Sequence, residues 1–220
     1  MCQASDVLRR AGVTAAPSTA AGPTREPFRV DAHERLILLG TAGASNPKAT
    51  RAGYANAIVV GDVAYILDCG EGVHRQAWRS GISMHPERRP RGGSTVRAIF
   101  VTHLHSDHVI DYPNLLLGLW PTRRVDVYGP GEAGLPITPY PPDRVVPVLF
   151  PDAPTPGVRT MTTKLFEAFA YNINVRIADE GRPALTENVV THEIRVAHGQ
   201  YVPDIDLGLE ASGATTTTAA

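Results

Sequence analysis

The segment from Val96 to His108, VRAIFVTHLHSDH, constrains what this chain can fold into more than any other. Val96, Ala98, Ile99, Phe100 and Val101 make an apolar, largely β-favouring run, so the segment opens as a buried strand. His103, His105, Asp107 and His108 follow within six residues. His103 and His105 stand two apart, so on an extended backbone their rings share one face. Asp107 and His108 come where the chain has to turn, and Asp107 is placed to cap a helix beginning there. Imidazole and carboxylate together suit a borderline divalent ion such as zinc. At this density the four side chains can serve two ions, His103 and His105 on one, Asp107 and His108 on the other. A lone histidine usually belongs to packing or to the surface. Three of the chain's eight histidines beside an aspartate at one strand end do not fit that explanation.

Composition sets the frame for that motif. With 220 residues, 43% hydrophobic and 20% charged, the chain can bury one sizeable core. A formal net charge of -1 gives no global basic field that would draw it onto nucleic acid. Cys2 and Cys69 are the only cysteines, and two thiols so far apart are no disulfide framework. No apolar run approaches a membrane span. Arg9-Arg10 imitates a twin-arginine export signal, but the alanine, threonine and proline after it are too weakly apolar for an export core. A cytoplasmic protein is the expectation.

Read in order, residues 1–29 form a disordered leader, 34–206 one domain, and 207–220 a low-complexity, disordered tail. Leu36 to Leu39 is a short strand. The loop TAGASNPKATRAG follows, able to bring backbone N–H groups near an anion. Ala57 to Val60 and Val63 to Leu67 read as a hairpin turning at Gly61-Asp62. The second strand ends in Asp68-Cys69-Gly70-Glu71-Gly72, with Asp68 where it can orient a nearby ligand and Cys69 as packing. Val73 to Ser80 and Ile110 to Trp120 read as helices, and Val125 to Tyr128 as a strand. Residues 134–157 promise no regular structure. The spacing of Leu165, Phe166, Phe169 and Ile173 predicts one helix over 161–177, and Val189 to Val196 favours a strand.

Three of these motifs, LGTAGASNP, ILDCGEGVHRQ and THLHSDH, occur in an order that resembles the metallo-β-lactamase superfamily, in its ribonuclease Z and arylsulfatase-like branch. The resemblance covers about Leu36 to Tyr128. It implies an α/β (α+β) fold, the αββα sandwich, with two zinc ions at the strand ends. It also implies His103 and His105 as ligands of the first zinc, Asp107 and His108 as ligands of the second. Asp107 is further implied as the catalytic residue that holds the attacking water, and Asp68 as a carboxylate behind the ligands. The reaction implied is hydrolysis of a phosphodiester or sulfate ester by a metal-activated hydroxide. Substrates would be a small anionic ester or the 3′ region of an RNA. No membrane partner is expected, and a homodimer is allowed. Tyr112-Pro113-Asn114-Leu115 and FEAFAYNINVRIADEGRP resemble the arylsulfatase-like members, and the near-neutral charge fits a small ester better than tRNA.

The sequence departs from the family pattern late in the chain. Complete members add a histidine, a metal-bridging aspartate after Ser-Gly, and a final histidine. Here Ser212-Gly213 is followed by Ala214. His198 is either the first of these later ligands or an incidental residue. The expectation is therefore the N-terminal part of a longer enzyme, with an incomplete second half and one tightly held zinc or fewer. Two readings stay open: a metal-dependent hydrolase of ester bonds, and a truncated, non-catalytic remnant with a weak metal site.

Overall fold

A computed structural model describes residues 34–44, 46, 48–85, 93–133 and 138–194. The expected leader over 1–29, the tail over 207–220, His198 and the Ser212-Gly213-Ala214 segment lie outside the described residues. Every described residue belongs to the unit His33–Ala220.

The described part begins with the antiparallel strands β1 (Glu34–Gly40), β2 (Ala55–Val60) and β3 (Val63–Leu67). The β2–β3 hairpin turns at Gly61, whose φ of +59° suits a residue without a β-carbon. Helix α1 (Val73–Arg79) and a two-residue strand β4 (Ile82–Ser83) lead to β5 (Ser94–Phe100). After β5 come a short helix α2 (Ser106–Val109), α3 (Tyr112–Leu119) and β6 (Val125–Pro130). The last elements are α4 (Val158–Ala168), α5 (Ala170–Glu180), α6 (Leu185–Asn188) and β7 (Val189–Ile194). One sheet results, ordered β1-β2-β3-β5-β6-β7, with β4 beside β5. Strands β3, β5, β6 and β7 run parallel, so they all end at one edge. Loops leaving the ends of parallel strands are where open α/β sheets gather their binding groups.

The two faces of the sheet differ. Val59, Ile66, Val96, Ile99 and Val127 join Val73 and Ala77 of α1, Leu115, Leu116 and Leu119 of α3 and Val158 of α4 in one buried cluster. Truncating such a side chain, as in Ile66→Ala, costs about 2–5 kcal/mol. The opposite face carries Leu36, Leu38 and Ile58, which are 68%, 64% and 41% exposed. The described residues thus form one sheet with helices packed on one face, and a second sheet is not among them.

One expectation is corrected. The helix expected over 161–177 is two helices, α4 and α5, broken at Phe169 with φ of -99° and ψ of 14°. Leu165, Phe166 and Ile173 keep their inward spacing across the break, so apolar periodicity alone does not reveal it. The strand expected over 189–196 is described as Val189–Ile194.

Candidate metal centre

The site is built where β3 and β5 end side by side. Asp68 follows β3 and is fully buried, with φ of +61°. A non-glycine residue in the left-handed region is sparsely populated and persists where its surroundings over-determine it. Those surroundings are hydrogen bonds. The Asp68 N–H donates to the Phe100 carbonyl at 2.8 Å. Its Oδ1 accepts the Thr102 backbone N–H at 2.8 Å, and both carboxylate oxygens lie within reach of the Thr102 hydroxyl, at 3.1 and 2.9 Å. Oδ2 also meets His108 Nδ1 at 2.8 Å.

This arrangement fixes two histidines. Thr102 has one hydroxyl proton. Given to Asp68, it leaves the hydroxyl oxygen to accept from His103 Nδ1, 3.1 Å away. Asp68 likewise places the His108 proton on Nδ1. In both rings Nε2 is then the bare nitrogen, the form in which imidazole ligates a metal. The rings of His103 and His105 lie 4.7 Å apart, and those of His103 and His108 4.1 Å apart. His108 Nε2 is 3.7 Å from Asp107 Oδ2. The four residues singled out in the sequence thus occupy one cluster beyond the end of β5.

Asp107 sits otherwise than expected. His105, not Asp107, is the residue capping α2, and no side-chain hydrogen bond caps that helix. The Asp107 carboxylate instead accepts the Ala44 backbone N–H at 2.9 Å. The loop after β1 does aim an N–H at an anion, and the anion is this aspartate. Ala44 adopts φ of +65° there.

Backbone pairing locks the turn carrying Asp68 to the one carrying His108. The Cys69 N–H donates to the His108 carbonyl at 2.6 Å, and the Asp111 N–H returns to the Cys69 carbonyl at 3.0 Å. Gly70 is needed at this crossing, because a β-carbon would lie 2.6 Å from the Asp107 carbonyl oxygen. The Asp111 carboxylate accepts the His74 N–H at 2.7 Å and tethers α1 to the start of α3. Cys69 is fully buried, and burial first, then Asp68 and Asp111, push its thiol well above the usual range. It packs in the core, as expected. Sequence reasoning missed Thr102, Ala44 and the Tyr54 ring, which lies 5.2 Å from His108.

The donor chemistry fits a divalent ion of the zinc type, with bare imidazole nitrogens oriented from behind by a carboxylate. As the side chains stand, no three His, Cys, Asp or Glu donors among the described residues are grouped to hold an ion. Beside Asp107 opens a cleft of about 260 Å³, lined by Lys48, Arg51, Glu71 and Ser106 among others. No helix among the described residues is long and apolar enough to cross a membrane.

Residues 50–158 match the model of the Metallo-beta-lactamase superfamily. The chain is similar to Ribonuclease Z of Mycobacterium bovis (strain BCG / Pasteur 1173P2), 28% identical over 200 residues that cover 84% of this chain and 61% of the relative. It is also similar to Ribonuclease Z of Mycolicibacterium gilvum (strain PYR-GCK), 32% identical over 143 residues, 65% of this chain and 40% of the relative. Among solved structures, the short form of human tRNase Z aligns with a TM-score of 0.43 at 22% identity, over 73% of this chain and 44% of that one. The matched part of the chain spans about three fifths or less of these relatives.

Proposed function

From the premise that residues 50–158 form a metallo-beta-lactamase superfamily domain, we propose that this chain carries the first ligand cluster of a zinc-dependent phosphodiester hydrolase of the ribonuclease Z type, acting on RNA. The observation that carries the reading is the Asp68 hydrogen-bond set, which leaves Nε2 of His103 and His108 bare beside His105 and Asp107. Metal-ligating histidines almost always carry such orienting partners.

His103 and His105 would hold one ion, Asp107 and His108 the other. Zinc, when bound, supplies Lewis acidity and brings the pKa of a water to about 7. The remaining work falls to the chain's own groups. The Ala44 N–H pins one oxygen of Asp107, and the other lone pairs are left to accept a proton from the attacking water. Lys48 and Arg51 line the cleft beside Asp107, where their charges favour an anionic ester over a neutral one. Names of the relatives favour a phosphodiester in RNA over a sulfate ester.

A second reading is a non-catalytic domain with a weak metal site. Zinc stoichiometry after dialysis, with turnover of a short RNA and of bis-para-nitrophenyl phosphate, separates the two. We expect zinc- or manganese-dependent turnover that Asp107→Ala abolishes. Zinc near zero per chain supports the second reading. Metal-independent turnover, or full activity in Asp107→Ala, overturns the site.

A further inference from the structure

The parallel strands that end at the histidine cluster begin at a second polar cluster. Asp126 of β6 has a side chain only 5% exposed, and it accepts from three sides. Arg97 Nη1 reaches Oδ2 at 2.7 Å. Arg124 grips Oδ1 with Nε at 2.9 Å and Nη2 at 2.6 Å. His192 Nε2 meets the same oxygen at 2.8 Å. The His192 ring is in turn stacked on Tyr128, with centroids 4.5 Å apart.

Asp126 therefore fixes two guanidinium groups that remain 40% and 57% exposed. Both line a cleft of about 400 Å³, together with Arg123, Thr95 and Asp62. Three guanidinium charges set against the carboxylates of Asp62 and Asp126 leave a net positive charge. Arginine's planar fork suits tetrahedral oxyanions, and guanidinium groups already held in place lose little freedom on binding one.

We infer that this cleft, lined by Arg97, Arg123, Arg124 and Thr95, binds a phosphate group. It is a different site from the histidine cluster. A seven-residue strand rising about 3.3 Å per residue puts roughly 20 Å between the two ends of β5. The phosphate is either free or part of an RNA backbone, and the chemistry of recognition is the same.

The test uses the 220-residue protein after removal of metal by a chelator, so it does not depend on the proposed hydrolase. Inorganic phosphate and a short unstructured RNA are titrated in parallel by calorimetry. We expect saturable binding that weakens tenfold or more in Arg123→Gln and in Arg124→Gln. The partners described for Asp126 are Arg97, Arg124 and His192, so the Arg123 variant reports binding even if Arg124→Gln disturbs folding. RNA binding tighter than phosphate through the same arginines identifies a polynucleotide as the source. Equal affinity per phosphate identifies the free ion. Binding unchanged in both arginine variants, or lost instead in His103→Ala, overturns the inference.

Discussion

Asp68 and Asp126 are both buried aspartates on adjoining parts of one sheet, and each meets a histidine at 2.8 Å. Their other partners set them apart. Asp68 takes a backbone N–H and a hydroxyl, and among the described contacts no arginine or lysine reaches it. Asp126 takes two arginines. At the first end the negative charge is hydrogen-bonded but not neutralised, so a neighbouring cation is favoured. At the second, two guanidinium groups exceed the single carboxylate, and positive charge faces outward. The same residue type therefore builds a cation-seeking and an anion-seeking end, and the donors around it decide which.

The largest effect should come from removing the charge at the first end. Asp68→Asn retains the shape but loses the carboxylate that orients His108 and, through Thr102, His103. Zinc affinity should fall about 10- to 100-fold, the usual consequence of losing an orienting partner. Asp126→Asn should leave zinc affinity unchanged. Equal losses in both variants would break the distinction between the ends.

Stability gives a second measure of the arginine end. Asp126→Asn weakens charge-assisted hydrogen bonds to a buried carboxylate, each ordinarily worth about 1.5–3 kcal/mol. Because the arginines are half exposed, solvent screening limits the total to about 1–2 kcal/mol. A urea midpoint shifted by that amount at neutral pH is the check. No shift would mean that the arginines find water as good a partner.

That difference should depend on pH with a definite sign. Burial raises the Asp126 carboxyl, but the hydrogen bonds from Arg124 and His192 and the charges of Arg124 and Arg97 outweigh it and hold it below the usual range. A carboxyl lowered in the folded state stabilises fully above its unfolded value of about 3.9 and loses this as pH falls through the lower folded value. The gap between wild type and Asp126→Asn should be level from neutral pH to about 5 and close below about 4. A gap that widens on acidification would contradict the ion-pair account.

The two ends were unequally legible in the sequence. His103, His105, Asp107 and His108 are adjacent along the chain, so spacing alone brings them together. Asp68 was readable as a carboxylate before a glycine turn. Its link to Thr102 was not, because that link exists only once β3 and β5 pair in parallel. The pair Arg123-Arg124 stands plainly in the sequence as a thin substitute for a basic arm, but the assembly around Asp126 was hidden for the same reason. Asp126 and His192 are 66 residues apart and meet only through the β6–β7 pairing. The break at Phe169 was hidden because the apolar spacing runs through it in phase.

The smallest predicted effect tests how the second end divides its work. Arg97 gives Asp126 one hydrogen bond from a side chain 40% exposed, whereas Arg124 gives two to the opposite oxygen. Lysine at position 97 retains the charge and can still reach Oδ2, so Arg97→Lys should move stability by no more than about 0.5 kcal/mol. Phosphate binding should respond differently. An ammonium lacks the flat fork that can hold Asp126 with one nitrogen while turning others to an oxyanion. Phosphate affinity should therefore drop several-fold in Arg97→Lys while the urea midpoint stays put. If affinity and midpoint both hold, Arg97 belongs to the fold alone and the anion is held by Arg123 and Arg124.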